Sequence, residues 1–307
     1  MTNKLDVVFL TDINYLPYFT VALTSLLENN LNSINRIFLV HDVDDLEHFE
    51  KILDFFSKKY NKNIELLMID STSLDSYSLT HQLTKATYFR LYFANLLPKE
   101  IDKVLFLDSD IIVRKNIDDL LSLDFKIKND CKGEYYVYAV DHKFTKKEIT
   151  RLRELNFVGE HYFNAGVLLI NLKKWREDNV TSSFISTLEK YNNKILWADQ
   201  DILNLVIDNQ WGKISYNYNA FGLDGEMDNN YKIIHYIGMS KPWQLRNKHP
   251  YKYLYWKYIQ LTPFKRRFPE DLSILNVVRA YIVDPLLGVA RRIKRKIFLK
   301  NYKGFSK

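Results

Sequence analysis

Apolar, β-branched runs alternate with helical patterns over the first 110 residues, and this alternation constrains the fold of the chain most tightly. Residues 5–11 form a buried-strand pattern that ends at Asp12. In residues 18–27, Phe19, Ala22, Leu23, Leu26 and Leu27 fall on one helical face. Strand patterns recur at 36–40 and 64–69, with a helical pattern at 46–56 between them. This β-α-β-α-β order predicts a doubly wound α/β domain, a mostly parallel sheet flanked by helices. The pattern continues with a helix at 87–96 closed by Pro98, and a strand at 103–107 that runs into Asp108. Strands are expected at 135–140, 163–171 and 232–235, and helical stretches at 172–191, 198–207 and 251–258.

The 307 residues are 47% hydrophobic, enough for a sizeable core. Aromatic residues reach 15%, a content that suits either a ring-rich core or a carbohydrate or base site. The single cysteine, Cys131, excludes an intrachain disulfide and a cysteine zinc site, and fits a reducing compartment. The apolar run Val7-Val8-Phe9-Leu10 is too short for a signal peptide core. No stretch reaches the roughly 18 apolar residues of a membrane span. The expected location is therefore cytoplasmic, or peripheral on the cytoplasmic face of a membrane.

Charge is unevenly spread. Residues 264–307 hold 12 Lys+Arg against 3 Asp+Glu, a net +9, whereas the rest of the chain is at −2. The composition turns at Thr262-Pro263, which divides the chain into a body, 1–262, and a basic helical C-terminal region, 263–307. Residues 273–298 carry helical apolar stripes broken near Pro285. The run Arg291-Arg292-Ile293-Lys294-Arg295-Lys296 is either a solvated helix face or an amphipathic anchor for an anionic membrane surface. A nucleic-acid binder would spread its basic charge over the folded face, so nucleic acid is not an expected partner.

Two clusters carry chemistry. Asp108-Ser109-Asp110 leaves the strand Val104-Leu105-Phe106-Leu107, and ligand sites of open α/β sheets lie beyond such strand ends. Two carboxylates at this spacing can share one hard divalent cation, which would neutralise a diphosphate leaving group. An ordinary acidic turn is the alternative. Asp12 and Asn14 hold the equivalent place after the first strand, where Asp12 suits either a nucleotide contact or a helix N-cap. Neither GxGxxG nor GxxxxGK[ST] is present. In the second cluster, His235-Tyr236-Ile237-Gly238-Met239-Ser240-Lys241-Pro242-Trp243, His235 is a candidate third metal ligand. Gly238 permits close backbone approach, and Lys241 suits a phosphate.

Those segments resemble glycosyltransferase family 8, the retaining GT-A enzymes that include bacterial lipopolysaccharide galactosyl- and glucosyltransferases. The likeness runs in order through Val8-Phe9-Leu10-Thr11-Asp12-Ile13-Asn14-Tyr15, Thr87-Tyr88-Phe89-Arg90-Leu91, Leu105-Phe106-Leu107-Asp108-Ser109-Asp110, Phe163-Asn164-Ala165-Gly166-Val167, Asp199-Gln200-Asp201-Ile202-Leu203-Asn204 and the His235 cluster. It implies Mn2+, or alternatively Mg2+, on Asp108, Asp110 and His235, with the diphosphate of UDP-galactose or UDP-glucose. Leu10, Thr11, Asp12 and Asn14 would meet the uridine, and Ser109 the donor. Gly238 and Lys241 would hold the diphosphate. Arg90, Asn164, Ala165, Asp199 and Gln200 would surround the sugar. Some members carry an acidic pair beside Asp12, where this chain has Ile13, so its uracil contacts are expected to differ.

The expected reaction transfers a hexose to an oligosaccharide or glycolipid acceptor with retained configuration. By that resemblance Gln200 takes the position opposite the leaving group, and an amide is a poor nucleophile. A same-face reaction is therefore expected, with Asp199 orienting the sugar and Lys241 adding charge. Two other classes remain open from the residues. A haloacid-dehalogenase-like phosphohydrolase also has a strand followed by Asp-x-Asp, though usually after its first strand. A non-catalytic sugar-nucleotide-binding protein would keep the same polar positions without turnover.

Overall fold

The computed structural model describes residues 4–75, 77, 84–127, 133–222 and 227–283. Cys131 and the basic run at 291–296 lie outside the described residues, as does most of the expected helix at 273–298.

The chain opens with β1 (Leu5–Leu10), then α1 (Leu16–Asn30), β2 (Ile34–His41), α2 (Glu47–Tyr60) and β3 (Ile64–Met68). Pro17 lies in the first turn of α1, where its missing N–H has no partner to lose. α2 buries Phe49, Ile52, Phe56 and Tyr60 along one stripe and ends at Asn61, whose φ of 51° is a left-handed cap. After α3 (Phe93–Leu96) come β4 (Lys103–Leu107), β5 (Ile111–Val113), β6 (Val137–Asp141), α4 (Lys146–Glu154) and β7 (Phe163–Asn171). Three helices follow, α5 (Leu172–Glu177), α6 (Val180–Tyr191) and α7 (Ala198–Ile207), then β8 (Trp211–Lys213), β9 (Ile233–His235), α8 (Lys252–Ile259) and α9 (Ile274–Val278).

Among the described residues, seven strands form one sheet in the order β3-β2-β1-β4-β7-β6-β8. β7 runs antiparallel to both its neighbours, and every other pairing in that sheet is parallel. All nine residues of β7 are buried, as expected of a strand covered on both faces. Side-chain alternation divides the core. Val104 and Phe106 of β4 pack with Trp175, Phe184 and Ile202 on one side, and Leu105 and Leu107 with Phe19, Leu23 and Phe49 on the other.

The expected helix at 87–96 is instead a 3-10 helix, Lys85–Tyr92, that runs into α3. Three residues per turn aligns Thr87 and Arg90, and both engage Asp199. The single helical region expected at 172–191 is broken at Asn179, whose φ of 47° ends the first helix before the second begins. β5 and β9 form a separate antiparallel pair, with Ile111 opposite His235. This pairing draws residue 235 to the end of β4. At the C-terminal end, Tyr18 Oη donates to Glu270 Oε2 at 2.5 Å and Glu270 N–H donates to the Trp243 carbonyl at 3.1 Å. Residues just past the 262 boundary are thus bonded to the body.

Candidate active site

The site begins where β4 stops. The Asp108 N–H donates to the Gly166 carbonyl on β7 at 2.9 Å, and the Tyr236 N–H donates to the Asp110 carbonyl at 3.0 Å. Backbone pairing to two distant segments therefore holds both ends of Asp108-Ser109-Asp110. Ser109 faces inward and donates to the Leu10 carbonyl at 2.9 Å, which ties the turn to the end of β1. His235 Nε2 lies 3.6 Å from Asp108 Oδ2 and 3.3 Å from Asp110 Oδ1. One ligand atom from each of these three residues falls within 4.8 Å of the others. Two carboxylate oxygens and an imidazole nitrogen are a fitting donor set for a hard-to-borderline divalent cation.

Cationic side chains surround the trio. Lys241 Nζ lies 2.5 Å from Asp110 Oδ2 and also donates to the Tyr236 carbonyl at 2.8 Å. Burial alone would raise the Asp110 carboxyl, but Lys241 and His235 hold it well below the usual carboxylate range. Arg90 is buried and bridges two carboxylates, Asp108 Oδ1 at 2.9 Å and Asp199 Oδ2 at 2.8 Å. Its guanidinium also donates to the Ala165 carbonyl and lies 4.2 Å above the centre of the Phe106 ring.

Asp199 is buried and accepts from Thr87 Oγ1 at 2.5 Å. Burial pushes its carboxyl up to about 6, against the opposing pull of Arg90 and Thr87. The folded state therefore binds this proton more tightly than the unfolded chain, whose ordinary value is 3.8. The resulting stabilisation is complete below the unfolded value and is lost as pH rises through about 6. Unfolding measured between about pH 4 and pH 7 should decline less steeply for Asp199→Asn than for the wild type. Equal slopes would show that burial of this carboxyl is not felt.

Leu10, Thr11, Asp12, Arg90, Asp108, Ser109, Asp110 and Lys241 line one cleft of about 170 Å³. Thr84, Ala86, Thr87 and the Tyr15 ring complete its walls. Asp12 is an N-cap, taking the N–H groups of Asn14 and Tyr15 through Oδ1 alone. The other expected residues are not in the cleft wall. His235 and Asp199 support it from behind. Asn164 and Ala165 are buried in β7, and Ala165 N–H donates to Gln200 Oε1 at 2.9 Å. Gln200 Nε2 is 3.2 Å from Tyr162 Oη, so the amide is held at both ends. Asn14 and Gly238 are exposed, and Gly238 adopts a φ of +78° with nothing within 4 Å of where a Cβ would stand.

Gly166, Thr87 and Tyr15 were not among the expected site residues. The signal for Gly166 was its place as the lone glycine in a nine-residue apolar strand, a position that commonly marks close approach. A Cβ there would lie 2.1 Å from His235 Cε1 and 2.8 Å from Asp108 Oδ2.

The model of the family described as "Glycosyl transferase family 8" matches residues 6–247. The lipopolysaccharide glucosyltransferase WaaO of Escherichia coli (strain K12) is 30% identical over 322 aligned residues, covering 98% of this chain and 88% of that protein. A lipopolysaccharide 1,3-galactosyltransferase of Salmonella typhimurium is 28% identical, covering 81% of this chain and 75% of its own length. The solved structure of the galactosyltransferase LgtC, in complex with donor and acceptor sugar analogues, shares the fold. Its TM-score is 0.73 at 24% identity, over 87% of this chain and 98% of that one. The chain belongs to glycosyl transferase family 8: it is a glycosyltransferase of GT-A fold with a divalent-metal dependence.

Proposed function

We propose that this protein is a retaining hexosyltransferase that moves galactose or glucose from a UDP-sugar to a saccharide acceptor in lipopolysaccharide or related cell-surface glycan synthesis. One observation carries the proposal. Asp108, Asp110 and His235 converge at a cleft that also holds Lys241 and Arg90. The relatives named for glucosyl and galactosyl transfer to lipopolysaccharide support the substrate class. Mn2+ is the proposed ion, with Mg2+ as the alternative, and it would supply Lewis-acid stabilisation of the departing diphosphate.

The protein's own residues do the rest. Thr11, Asp12 and Asn14 at the end of β1 receive the uridine, and the Tyr15 ring offers a flat surface for the base. Lys241 and the Gly238 backbone take the diphosphate. Arg90 holds Asp108 and Asp199 apart, and Asp199 orients the sugar. Gln200 is tied to the Ala165 N–H, which suits a positioning amide and not a nucleophile. A same-face displacement follows, in which a leaving-group oxygen takes the acceptor proton.

UDP release from a panel of UDP-sugars, with and without Mn2+, tests this. Asp110→Ala should lose on the order of 10²–10³-fold in turnover, the scale of removing one preorganised electrostatic group. Full metal-dependent activity in that variant would overturn the assignment. Phosphatase activity on p-nitrophenyl phosphate without any UDP-sugar would favour a dehalogenase-like hydrolase instead.

The C-terminal region is proposed to reach an anionic membrane surface. No helix among the described residues is long and apolar enough to cross a membrane. Yet Ile274, Leu275 and Tyr281 are 87%, 76% and 69% exposed, with Arg279 among them. Such residues can lie in a lipid interface with basic neighbours near the headgroups. Co-sedimentation with anionic liposomes should be strong for the full chain and weak for a 1–272 truncation, which keeps the Glu270 contacts. Equal binding by both would sink the anchor.

A further inference from the structure

The imidazole of His235 reaches the two carboxylates through Nε2, so its other nitrogen decides what Nε2 can do. That nitrogen, Nδ1, lies 2.9 Å from Asn219 Oδ1. Asn219 is fully buried, and its Nδ2 donates to Asn164 Oδ1 at 2.7 Å. Asn164 Oδ1 also accepts the Gly166 backbone N–H at 3.0 Å.

The direction of every bond in this relay follows from one unambiguous group. The Gly166 N–H is a backbone donor and has no alternative role. The Asn164 atom facing it must therefore be the oxygen. The Asn219 atom facing that oxygen must be the amide nitrogen, so its other terminus is the oxygen. Asn219 thus presents an acceptor to His235, and Nδ1 must carry the hydrogen. Nε2, between Asp108 and Asp110, is then the nitrogen free to present its lone pair to a cation. Side-chain amide orientation is usually chosen to fit a network; here a peptide group dictates it.

We propose that Asn219 is a positioning residue for the metal site, locking His235 in the Nδ1–H tautomer with Nε2 presented to the cation. This rests on the metal assignment proposed above. It also changes the part assigned to Asn164, whose oxygen is committed to the relay, so that only its Nδ2 remains for a sugar. The backbone keeps Asn219 in place. Ala220 N–H donates to the Ile233 carbonyl and His235 N–H to the Ala220 carbonyl, both along β9. Partners of this kind orient metal-bound imidazoles, and their loss typically weakens metal affinity about 10- to 100-fold.

The test uses the full chain with Mn2+ alone as probe, together with ¹⁵N spectra of the His235 ring and thermal unfolding. Asn219→Leu should weaken Mn2+ binding by about 10- to 100-fold and give a mixture of imidazole tautomers. Asn219→Asp still accepts from Nδ1–H and should keep Mn2+ affinity within about threefold, although it loses the donor to Asn164. Wild-type Mn2+ affinity in Asn219→Leu, or equal loss in both variants, would overturn the proposal. If the wild type binds no Mn2+, the metal assignment fails by itself. The ring spectrum of the metal-free protein at alkaline pH then decides the rest: an Nδ1–H form supports the role of Asn219, and an Nε2–H form refutes it.

Discussion

Gly166→Ala is expected to abolish measurable Mn2+ binding and to lower UDP-sugar turnover by at least about 10²-fold, the scale of an ångström-sized misplacement in a catalytic centre. The reason is space. An alanine Cβ would stand 2.1 Å from His235 Cε1, 2.6 Å from Nδ1 and 2.8 Å from Asp108 Oδ2. Real carbon contacts do not come that close, so the ring, the carboxylate or β7 must move. The ring has little room, because Asn219 holds it on one side and Asp110 on the other. β7 is buried along its whole length, so shifting it disturbs both halves of the core. Overpacking of this kind costs about 1–3 kcal/mol, and a modest fall in thermal midpoint should accompany the lost metal site. Mn2+ titration and UDP release are the measurements. A Gly166→Ala protein that binds Mn2+ like the wild type would mean that β7 does not form the floor of the site.

The second large effect is expected at Arg90. Its guanidinium lies between Asp108 and Asp199, with only a small part of its side chain reaching solvent. Arg90→Ala would leave the Asp199 carboxylate buried without its cation, which typically costs about 3–5 kcal/mol. It would also free the Ala165 carbonyl and remove the charge above Phe106. Denaturant unfolding should show that loss directly. Arg90→Lys keeps the charge but cannot span both carboxylates and the carbonyl, so it should recover only part of the stability. Adding Asp199→Asn to Arg90→Ala removes the stranded charge and should recover stability beyond the sum of the single effects. Strict additivity would show that Arg90 and Asp199 are not coupled. Turnover should stay low in all three variants, because Asp108 loses its geometric support in each.

Local order was legible wherever neighbours in the chain decide it. The run into Asp108 announced a strand end, and β4 is found there with its side chains alternating between two core layers. Asp12 was expected as a base contact or an N-cap. It lines the cleft and caps the turn with one oxygen. Over residues 87–96, apolar spacing could not separate 3.6 from 3.0 residues per turn. The buried Asp199 settles the matter by drawing Thr87 and Arg90 to one side. The polar stretch Glu177-Asp178-Asn179 held the break between α5 and α6, and Asn179 ends the first helix through its left-handed backbone.

The site divides along the same line. Alternation and helical period reflect residues a few positions apart, so the α/β class and the acidic strand end could be inferred from order alone. The family likeness then named His235 and Lys241 as partners of that end. What chain order does not contain is distance between positions 108, 166, 219 and 235. Their proximity arises from β7 lying against β4 and β9 against β5, with registers set by mostly buried side chains in both pairs. Nothing in Tyr216-Asn217-Tyr218-Asn219 marks the last residue as different from the other asparagine. Only packing buries Asn219 between Asn164 and His235, where the direction of one peptide N–H passes through it to the imidazole.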